Sequence, residues 1–341
     1  MNHLYVAWIA FHRRPVSMQM HFGYELKFLS LAFSNRYLRP LEYLLKTCVT
    51  LLLLLRKQPQ TLWLQLAPTP LLYVAHLYKA LFNPKVTIIA DCHNVMFRPP
   101  WIRFPGVVAL LNRCEFVLVH NDSVKEQATA AGVISECLHV LEDRPAILNC
   151  EMLENPTAFP RPWVLFPCSF NFDEPIEAVL SAARLIPEIT FAITGNKSRA
   201  KGIHDLRDIP PNVKLLGFLP TVEFDMLLCN TDAVLGLTIF DGVQVCTANE
   251  AVGTLKPLVL SQTDLLKELF YKGAVYVNPR NPLSIAQGCQ EAVSRKWELI
   301  QEMKSLRGDR NRRWLLQAEK VDATLNRLRA DISVKALNLS K

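Results

Sequence analysis

Short runs of apolar residues alternate with longer segments of helical periodicity along most of the chain, and this alternation limits the possible folds most strongly. Examples are the runs VTIIA at 86–90 and FVLVH at 116–120, which flank the helical segment VALLNRC at 108–114. A strand that is apolar on both faces is typical of a parallel sheet covered by helices on each side. The repeated units therefore predict an α/β fold built on doubly wound, Rossmann-like parallel sheets.

A Pro-rich polar stretch interrupts this alternation near the middle of the chain, and the alternation then restarts. We therefore predict a first domain at 1–153, a linker at 154–162, a second domain at 163–290 and a helical tail at 291–341. Ligands of doubly wound sheets bind outside the carboxyl ends of the strands. Two such domains facing each other predict a cleft lined by strand-end loops from both.

The cysteine pattern bears on the compartment and on metal binding. The nine cysteines are odd in number, and no two have C-x-x-C spacing. This argues against a zinc site or a secreted disulfide framework and favours a reducing compartment. No signal peptide is evident, because the basic residues of HLYVAWIAFHRR follow its apolar run.

The most apolar run of the chain is TCVTLLLLL at 47–55. It is far shorter than the ~20 residues that cross a bilayer as a helix. We therefore expect it to form one face of a buried helix.

The net charge of +7 is unevenly distributed. Residues 1–103 contain 12 Lys and Arg against 3 Asp and Glu, whereas the remaining residues contain 26 against 28. A basic segment rich in Leu, Phe and Tyr favours an anionic membrane surface as partner. Nucleic acid is the other candidate, but no zinc finger, RNP pattern or basic aromatic stripe supports it. We predict a peripheral protein on the cytoplasmic face of a membrane, without a nucleic-acid partner.

The segment DGVQVCTANEAVGTLKPLVLSQ, at 241–262, places a polar helix start between two predicted strands. Thr247 and Glu250 have the T-x-x-E spacing of a capping box, in which both side chains only satisfy backbone N–H groups. The same geometry also has a functional interpretation. A helix N-terminus at the carboxyl end of a strand binds anions such as a diphosphate, and a carboxylate one turn further on can accept hydrogen bonds from ribose hydroxyls. Together these groups would hold a sugar nucleotide.

In a chain with two doubly wound domains, this segment resembles glycosyltransferases of the GT-B type. Many of them carry E-G-F-G-x-x-x-x-E-A-x-x-x-G-x-P-V, and Glu250, Ala251 and Pro257 match its second half. Asp241 stands near the first acid with one residue in excess, and Gln244 stands where Gly is common. The residues that the resemblance assigns to donor binding here are Glu250, Thr247, Gln244 and Asp241.

The donor phosphates lack one of their usual partners in this chain. Many members of the family carry an Arg/Lys pair after the first strand of the second domain, whereas the matching loop here, PCSFNFDEP, has none. The phosphate charge would then be met by backbone N–H groups, by Ser169, or by Lys197 and Arg199 in TGNKSR.

Segments of the first domain narrow the resemblance. IIADCHN resembles the D-x-H-N that follows a strand in the β-1,4-mannosyltransferase extending lipid-linked chitobiose, and VLVHNDSVKEQATAAG and LEDRPA resemble segments of the same enzymes. FHRRP resembles the basic H-R-R-S turn of bacterial relatives. Such mannosyltransferases act on membrane-bound lipid acceptors, so the resemblance implies a lipid-linked acceptor.

Asp91 and His93 are the candidates for acid–base chemistry. An imidazole can take a proton from an acceptor hydroxyl near neutral pH. A carboxylate two residues away on an extended segment points to the same side, where it orients the imidazole or acts as the base. The alternative is that Asp91 and Asn94 only cap the following turn. We assign Arg13, Arg14 and Asn94 to the acceptor or phosphate side, although the two arginines equally suit a solvated turn.

These features predict a glycosyltransferase of the hexosyltransferase class that moves a sugar from a nucleotide-sugar donor to a hydroxyl of a lipid-linked or polysaccharide-precursor acceptor. We predict no metal and no cofactor, since the nucleotide sugar is the substrate. The alternative is a non-catalytic GT-B-like protein that binds an anionic ligand or scaffolds a glycan assembly pathway. The absent Arg/Lys pair and the extra residue after Asp241 support that alternative.

Overall fold

The computed structural model describes residues 2–31, 33, 36–153 and 159–338. Contacts within the chain divide it into two compact units, which are Met1–Arg144 together with Arg313–Lys341, and Pro145–Arg312. Residues 154–158 of the predicted linker lie outside the described residues. Each unit is built on one parallel sheet with flanking helices, as the strand–helix alternation predicts.

The first unit has a six-stranded parallel sheet. Its strands are β1 (His3–Ala7), β2 (Glu25–Phe28), β3 (Thr61–Leu66), β4 (Thr87–Cys92), β5 (Phe116–Val119) and β6 (Leu138–Val140). They lie in the order β2-β1-β3-β4-β5-β6, and every neighbouring pair is parallel. All residues of β3, β4 and β5 are buried, which is why these strands are mostly apolar in sequence.

Helices of the first unit pack on both faces of this sheet. They are α1 (Arg13–Phe22), α2 (Arg39–Lys57), α3 (Pro70–Leu81), α4 (Val107–Leu111) and α5 (Asp122–Ala130). On one face, Leu62 and Leu64 of β3 share a core with Leu54 of α2. On the opposite face, Trp63 shares a second core with Trp314 near the C-terminus. Successive side chains of a strand alternate between faces, so β3 supplies both cores.

The second unit repeats this architecture with another six-stranded parallel sheet. Its strands are β7 (Trp163–Pro167), β8 (Thr190–Thr194), β9 (Val213–Gly217), β10 (Ala233–Gly236), β11 (Leu258–Ser261) and β12 (Ala274–Val277). Their order is β12-β11-β10-β7-β8-β9. The sheet therefore grows in one direction from β7 and in the other from β10. This reversal between β7 and β10 is where doubly wound sheets bind ligands.

Helices of the second unit also pack on both faces of their sheet. They are α6 (Ile176–Leu185), α7 (Thr221–Asn230), α8 (Cys246–Thr254), α9 (Asp264–Leu269), α10 (Pro282–Ser294) and the start of α11 (Lys296–Asn338). Phe166 of β7 lies in one core and Trp163 of the same strand lies in the other. The prediction of two doubly wound α/β domains is confirmed.

The boundary between the units differs from the predicted one at residue 153. Ala146 donates its N–H to the carbonyl oxygen of Asn249 at 3.4 Å. Gly253 of α8 lies so close to Ala146 that a Cβ atom would come within 2.1 Å of its carbonyl oxygen. Residues after Arg144 therefore pack on the second unit. The predicted tail at 291–341 is likewise divided, because Trp314 packs in a core of the first unit.

The sequence does not predict α1 or β2. Pro15 lies in the first turn of α1, where its missing N–H removes no intrahelical hydrogen bond, so the HRRP segment begins a helix. β2 is an edge strand of four half-buried residues, and its pattern is correspondingly weak.

The apolar run at 47–55 lies in α2, but this helix is more exposed than predicted. Thr50 and Leu54 are fully buried, whereas Leu52 is 67% exposed and Val49 is 42% exposed. Within the described part of the chain, no helix is long and apolar enough to cross a membrane.

One disulfide bond joins Cys150 to Cys229 of α7, with their Cα atoms 5.3 Å apart. The sequence does not predict this bond, because its partners are separated by 79 residues and belong to no spacing motif. A single bond in a unit with two apolar cores is not the multiple-disulfide framework of a small secreted domain.

Candidate functional site

Arg14 and Asp91 form a buried ion pair at the carboxyl edge of the first sheet. Arg14 Nη2 lies 2.9 Å from Asp91 Oδ1, and Arg14 Nε donates to both oxygens of that carboxylate at 3.0 Å. Arg14 also donates to Asp143 at 2.7 Å and to the carbonyl oxygen of Leu141 at 2.8 Å. Tyr5 donates its hydroxyl to Asp91 at 2.7 Å. One guanidinium thus joins α1 to β4 and to the segment after β6.

These contacts contradict the roles predicted for Arg14 and Asp91. Asp91 has no exposed surface, and Arg14 is 3% exposed. Burial by itself raises the pKa of Asp91. The adjacent Arg14 outweighs this effect and lowers the pKa to about 2. Burial opposes the charge of Arg14, yet Asp91 and Asp143 raise its pKa above the usual value. The two groups stay ionised and neutralise each other, so Asp91 does not reach an acceptor hydroxyl and Arg14 does not reach a phosphate.

Arg13 and Asn94 are the other residues assigned to the acceptor side. Arg13 is half-buried, with its guanidinium carbon 5.2 Å from the ring centroid of Phe11. Asn94 begins a short 3-10 helix, Asn94–Phe97, and its Oδ1 is buried without a hydrogen-bond partner. The capping alternative is wrong, because the residue at the cap position is His93 and it makes no side-chain cap bond.

Three histidines lie side by side at this edge, and we call them the histidine row: His12 after β1, His93 after β4 and His120 after β5. The ring centroids of His12 and His93 are 4.4 Å apart, and those of His93 and His120 are 4.7 Å apart. The sequence predicts only His93. The missed signal is that FHRRP and VLVHN each place a histidine between a strand of the same sheet and the helix that follows it.

Each member of the histidine row has a buried ring nitrogen without a hydrogen-bond partner, namely His12 Nδ1, His93 Nε2 and His120 Nε2. Burial lowers the pKa of His93 to about 3, and His120 adds to that effect. Burial followed by the charge of His93 lowers the pKa of His12 to about 3. Burial and then Arg14 lower the pKa of His120 to about 4. The three rings are therefore uncharged at neutral pH.

The loop after β7 in the second unit is organised by one carboxylate. Glu174 accepts hydrogen bonds from the backbone N–H of Ser169 at 2.9 Å and of Asn171 at 2.8 Å. Backbone N–H groups of this kind are predicted to bind the donor phosphates. In the structure, these two already donate hydrogen bonds to Glu174. Ser169 itself is exposed.

The loop after β8 supplies positive charge to the same edge. Lys197 and Arg199 lie in a short 3-10 helix, Lys197–Ala200, and both side chains are exposed. Arg199 donates to Asn171 Oδ1 in the loop after β7 at 2.8 Å. A cation from the loop after β8 thus stands beside the loop after β7, which carries no Arg or Lys.

Helix α8 begins two residues earlier than the capping-box interpretation requires. Its first residue is Cys246 and its N-cap is Val245, which makes no side-chain cap bond. Thr247 is therefore inside the helix and the predicted capping box is wrong. Glu250 lies in the second turn and is partly exposed, whereas Thr247 and Gln244 are buried and Asp241 is exposed.

Hydrogen bonds tie the loops after β7 and β10 together where the strand order reverses. Ile239 donates its N–H to the carbonyl oxygen of Asp173 at 2.8 Å, and the Thr238 hydroxyl donates to the Asp173 carboxylate at 2.9 Å. The N–H of Thr238 is bonded to Ser261 Oγ at the end of β11. The edge between β7 and β10 is thus held in a defined conformation.

The residues predicted to bind the donor follow three neighbouring strands. Ser169 follows β7, Lys197 follows β8, and the others lie between β10 and β11: Asp241, Gln244, Thr247 and Glu250. A cavity of about 470 Å³ is lined by Glu174 after β7, Ile239 after β10 and Pro282 at the start of α10, but by none of these predicted residues. Within the described residues, no cluster of His, Cys, Asp or Glu has the geometry of a metal site.

Comparison with solved structures finds the same fold in several enzymes, one of them crystallised with UDP-glucose. HepE from Anabaena, in complex with UDP-glucose, is 14% identical with a TM-score of 0.66 over 94% of this chain and 100% of that one. Sucrose-phosphate synthase from Thermosynechococcus elongatus is 12% identical with a TM-score of 0.66, over 96% and 100% of the two chains. A glycosyltransferase from Rickettsia africae is 11% identical with a TM-score of 0.59, over 95% and 97%.

No protein-family model matches the chain, and no curated protein matches it in sequence. The likeness to the solved structures concerns the fold, which is the two-unit parallel α/β architecture of GT-B glycosyltransferases.

We expect Arg14→Met to destabilise the first unit by roughly 3–5 kcal/mol, because two buried carboxylates would lose the guanidinium that neutralises them. Urea unfolding measures the change. Arg207→Met is the matched control, since the Arg207–Asp205 pair is exposed, and it should leave the midpoint unchanged. Equal midpoints for the two variants would contradict a structural role for Arg14.

The histidine row predicts a loss of stability on mild acidification. The pKa of His120 is lowered from 6.5 to about 4 by burial, so folding favours its neutral form. The stability is complete above pH 6.5 and declines as the pH falls from 6.5 towards 4. Between pH 6.5 and 5.5 this histidine accounts for about 1 kcal/mol of unfolding free energy.

Urea unfolding at several pH values measures this decline. His120→Phe removes one titrating group and should reduce the decline over that interval by about 1 kcal/mol, whereas His12 and His93, whose pKa values burial also lowers, keep their contributions. Parallel curves for the wild type and His120→Phe would show that His120 does not titrate as described.

Proposed function

We propose that the protein is a glycosyltransferase that transfers a sugar from a nucleotide-sugar donor to an acceptor hydroxyl. The main support is the position of Glu250 in the second turn of α8, which follows β10 where the strand order reverses. The helix N-terminus favours a diphosphate, and the carboxylate can accept hydrogen bonds from ribose. HepE, which shares this fold, has been crystallised with UDP and with UDP-glucose, so uridine nucleotides are the first ligands to test.

In this reaction the acceptor oxygen bonds to the anomeric carbon of the donor sugar. The bond from that carbon to the phosphate oxygen breaks, and the nucleoside diphosphate leaves. The acceptor proton must pass to a base. We assign this step to His93, which is half-buried and uncharged at neutral pH, whereas Asp91 is buried against Arg14.

We expect Glu250→Gln to weaken nucleotide binding by roughly 1–3 kcal/mol, since a hydrogen bond to a charged group is lost. Calorimetric titration with UDP and UDP-glucose measures the affinity. Glu268→Gln on the neighbouring helix α9 is the matched control, because its side chain is also exposed at the surface of the same unit. An unchanged dissociation constant for Glu250→Gln would contradict ribose binding by this carboxylate.

We expect His93→Gln to lower turnover roughly 10²–10⁴-fold while nucleotide affinity stays constant, as for loss of a general base. Sugar release or transfer from a panel of nucleotide sugars measures turnover. His139→Gln is the control, because His139 is a half-buried histidine on β6 outside the histidine row. Full turnover by a folded His93→Gln variant would exclude the base role.

The alternative function is nucleotide binding without catalysis. It is favoured by one observation: the loop after β7 carries no cation, and its N–H groups are occupied by Glu174. Binding of UDP-glucose by the wild type without turnover of any donor would support this alternative.

We also propose a lipid-linked acceptor and a position on the cytoplasmic face of an anionic membrane. The support is an exposed apolar face of α2, which we call the α2 stripe. Its members recur at helical spacing and are 39–67% exposed: Leu41, Leu44, Leu45, Val49, Leu52 and Leu55. Lys46, Thr50 and Leu54 of the same helix are buried on the other side. An apolar helix face of this kind suits insertion into the interface of a bilayer.

The charge of the surrounding region fits an anionic surface. Arg39 in the first turn of α2 and Arg56 in its last turn are exposed, and residues 1–103 contain 12 basic against 3 acidic residues. Each basic residue near an anionic membrane contributes ~1 kcal/mol. The resemblance of the first domain to the mannosyltransferase of lipid-linked chitobiose supports the same acceptor class.

We expect Leu52→Glu to abolish flotation with phosphatidylserine-containing vesicles, because it places a charge at the most exposed position of the α2 stripe. Binding of the wild type should weaken with added salt, since charges more than about 10 Å apart are screened at 0.1 M. Leu316→Glu is the control, because Leu316 is 61% exposed on α11. Equal partition into neutral and anionic vesicles at low salt, or into neither, would exclude electrostatic docking.

A further inference from the structure

The histidine row contains two side chains that the proposed reaction does not use. His12 and His120 lie on opposite sides of His93, and each ring contacts His93 edge to face. The three rings come from loops after β1, β4 and β5, so the tertiary fold alone brings them together. Such a convergence of polar rings at the carboxyl edge of a doubly wound sheet is where a ligand site is expected.

One ring nitrogen of each histidine in the row lacks a hydrogen-bond partner within the described residues. His12 Nδ1, His93 Nε2 and His120 Nε2 are buried and unbonded, as is Asn94 Oδ1 beside them in sequence. His120 is only 4% exposed. Most buried polar atoms in folded proteins are hydrogen-bonded, so four unbonded atoms at one edge indicate a site where a ligand supplies the bonds.

The charged groups next to the row are neutralised by each other. Arg14 is paired with Asp91 and Asp143, and Tyr5 donates to Asp91. His120 Nδ1 lies 3.7 Å from Asp143 Oδ1, beyond hydrogen-bond distance. Burial keeps the pKa of each imidazole between about 3 and 4. At neutral pH the row therefore presents neutral rings, each with one donor and one acceptor nitrogen.

Neutral donor and acceptor pairs suit hydroxyl groups better than they suit anions. A hydroxyl both donates and accepts, as a neutral imidazole does, whereas a phosphate accepts only and would favour charged histidines. The described residues contain no cluster with metal-site geometry, so the row is not arranged around an ion.

We propose that His12 and His120, on either side of His93, bind hydroxyl groups of the acceptor sugar. This inference rests on the proposed glycosyltransferase function and extends it. His93 takes the proton of the reacting hydroxyl, and its two neighbours hold other hydroxyls of the same sugar. The ligand class is a neutral glycoside.

The test uses the full chain and follows the ring signals of the three histidines by nitrogen-correlated NMR. The probes are methyl β-glucopyranoside, methyl α-mannopyranoside, methyl N-acetyl-β-glucosaminide and inorganic phosphate. At least one glycoside should give saturable shifts at His12 and His120, and its affinity should be constant between about pH 6 and pH 8, where neutral rings do not titrate. Phosphate should give none.

Substitutions distinguish hydrogen bonding from packing. His12→Phe and His120→Phe keep a ring in place and should each weaken glycoside binding roughly tenfold, the effect of one lost hydrogen bond. His12→Asn and His120→Gln place an amide near the lost Nδ1 and Nε2 positions and should restore most of the affinity. His139→Phe removes another unbonded Nε2, outside the row, and should have no effect.

Three results would overturn the inference: no saturable shift with any glycoside, shifts with phosphate alone, or equal losses for His139→Phe and His120→Phe. UDP-glucose affinity, measured on the same samples, separates this inference from the proposed function. If UDP-glucose binds and no glycoside does, only the histidine row assignment fails. If glycosides bind at the row and no nucleotide sugar binds, only the transferase assignment fails.

Discussion

The guanidinium of Arg14 is the constraint on which the carboxyl edge of the first unit depends. It bonds to Asp91 at the end of β4 and to Asp143 after β6, while its own position is fixed by α1, which follows β1. A buried cation with two carboxylates stabilises the fold only when every partner is present, because an unpaired buried charge costs several kcal/mol. This cluster therefore fixes three segments of the chain relative to one another.

The histidine row is held in place by the cluster of Arg14, Asp91 and Asp143. His12 lies two residues before Arg14, His93 lies two residues after Asp91, and His120 stands 3.7 Å from Asp143. Each imidazole is thus adjacent to one member of the ionic network. The network is ionised and self-compensating, whereas the rings next to it are neutral. The ionic network can hold the neutral rings in fixed positions, and neutral rings can orient hydroxyl groups without attracting anions.

In the second unit, different contacts fix the loops at the carboxyl edge of the sheet. Glu174 binds the backbone of its own loop, and Asp173 joins that loop to the one after β10. These bonds fix both loops at the reversal of strand order, while Arg199 of the loop after β8 stays exposed beside them. The loop after β7 carries no Arg or Lys, and the cation beside it, Arg199, comes from the loop after β8.

The sequence by itself determined the fold class, because buried parallel strands require apolar runs and their crossover helices require amphipathic ones. It also placed the candidate His93 directly after a strand and the candidate Glu250 in the helix that follows another strand. It could not show that Asp91 and Arg14 neutralise each other, or that Thr247 lies inside α8. Those facts depend on contacts between residues far apart in the chain, as does the row formed by His12, His93 and His120. Periodicity reports which face of an element is buried, whereas only tertiary packing decides which polar groups meet there.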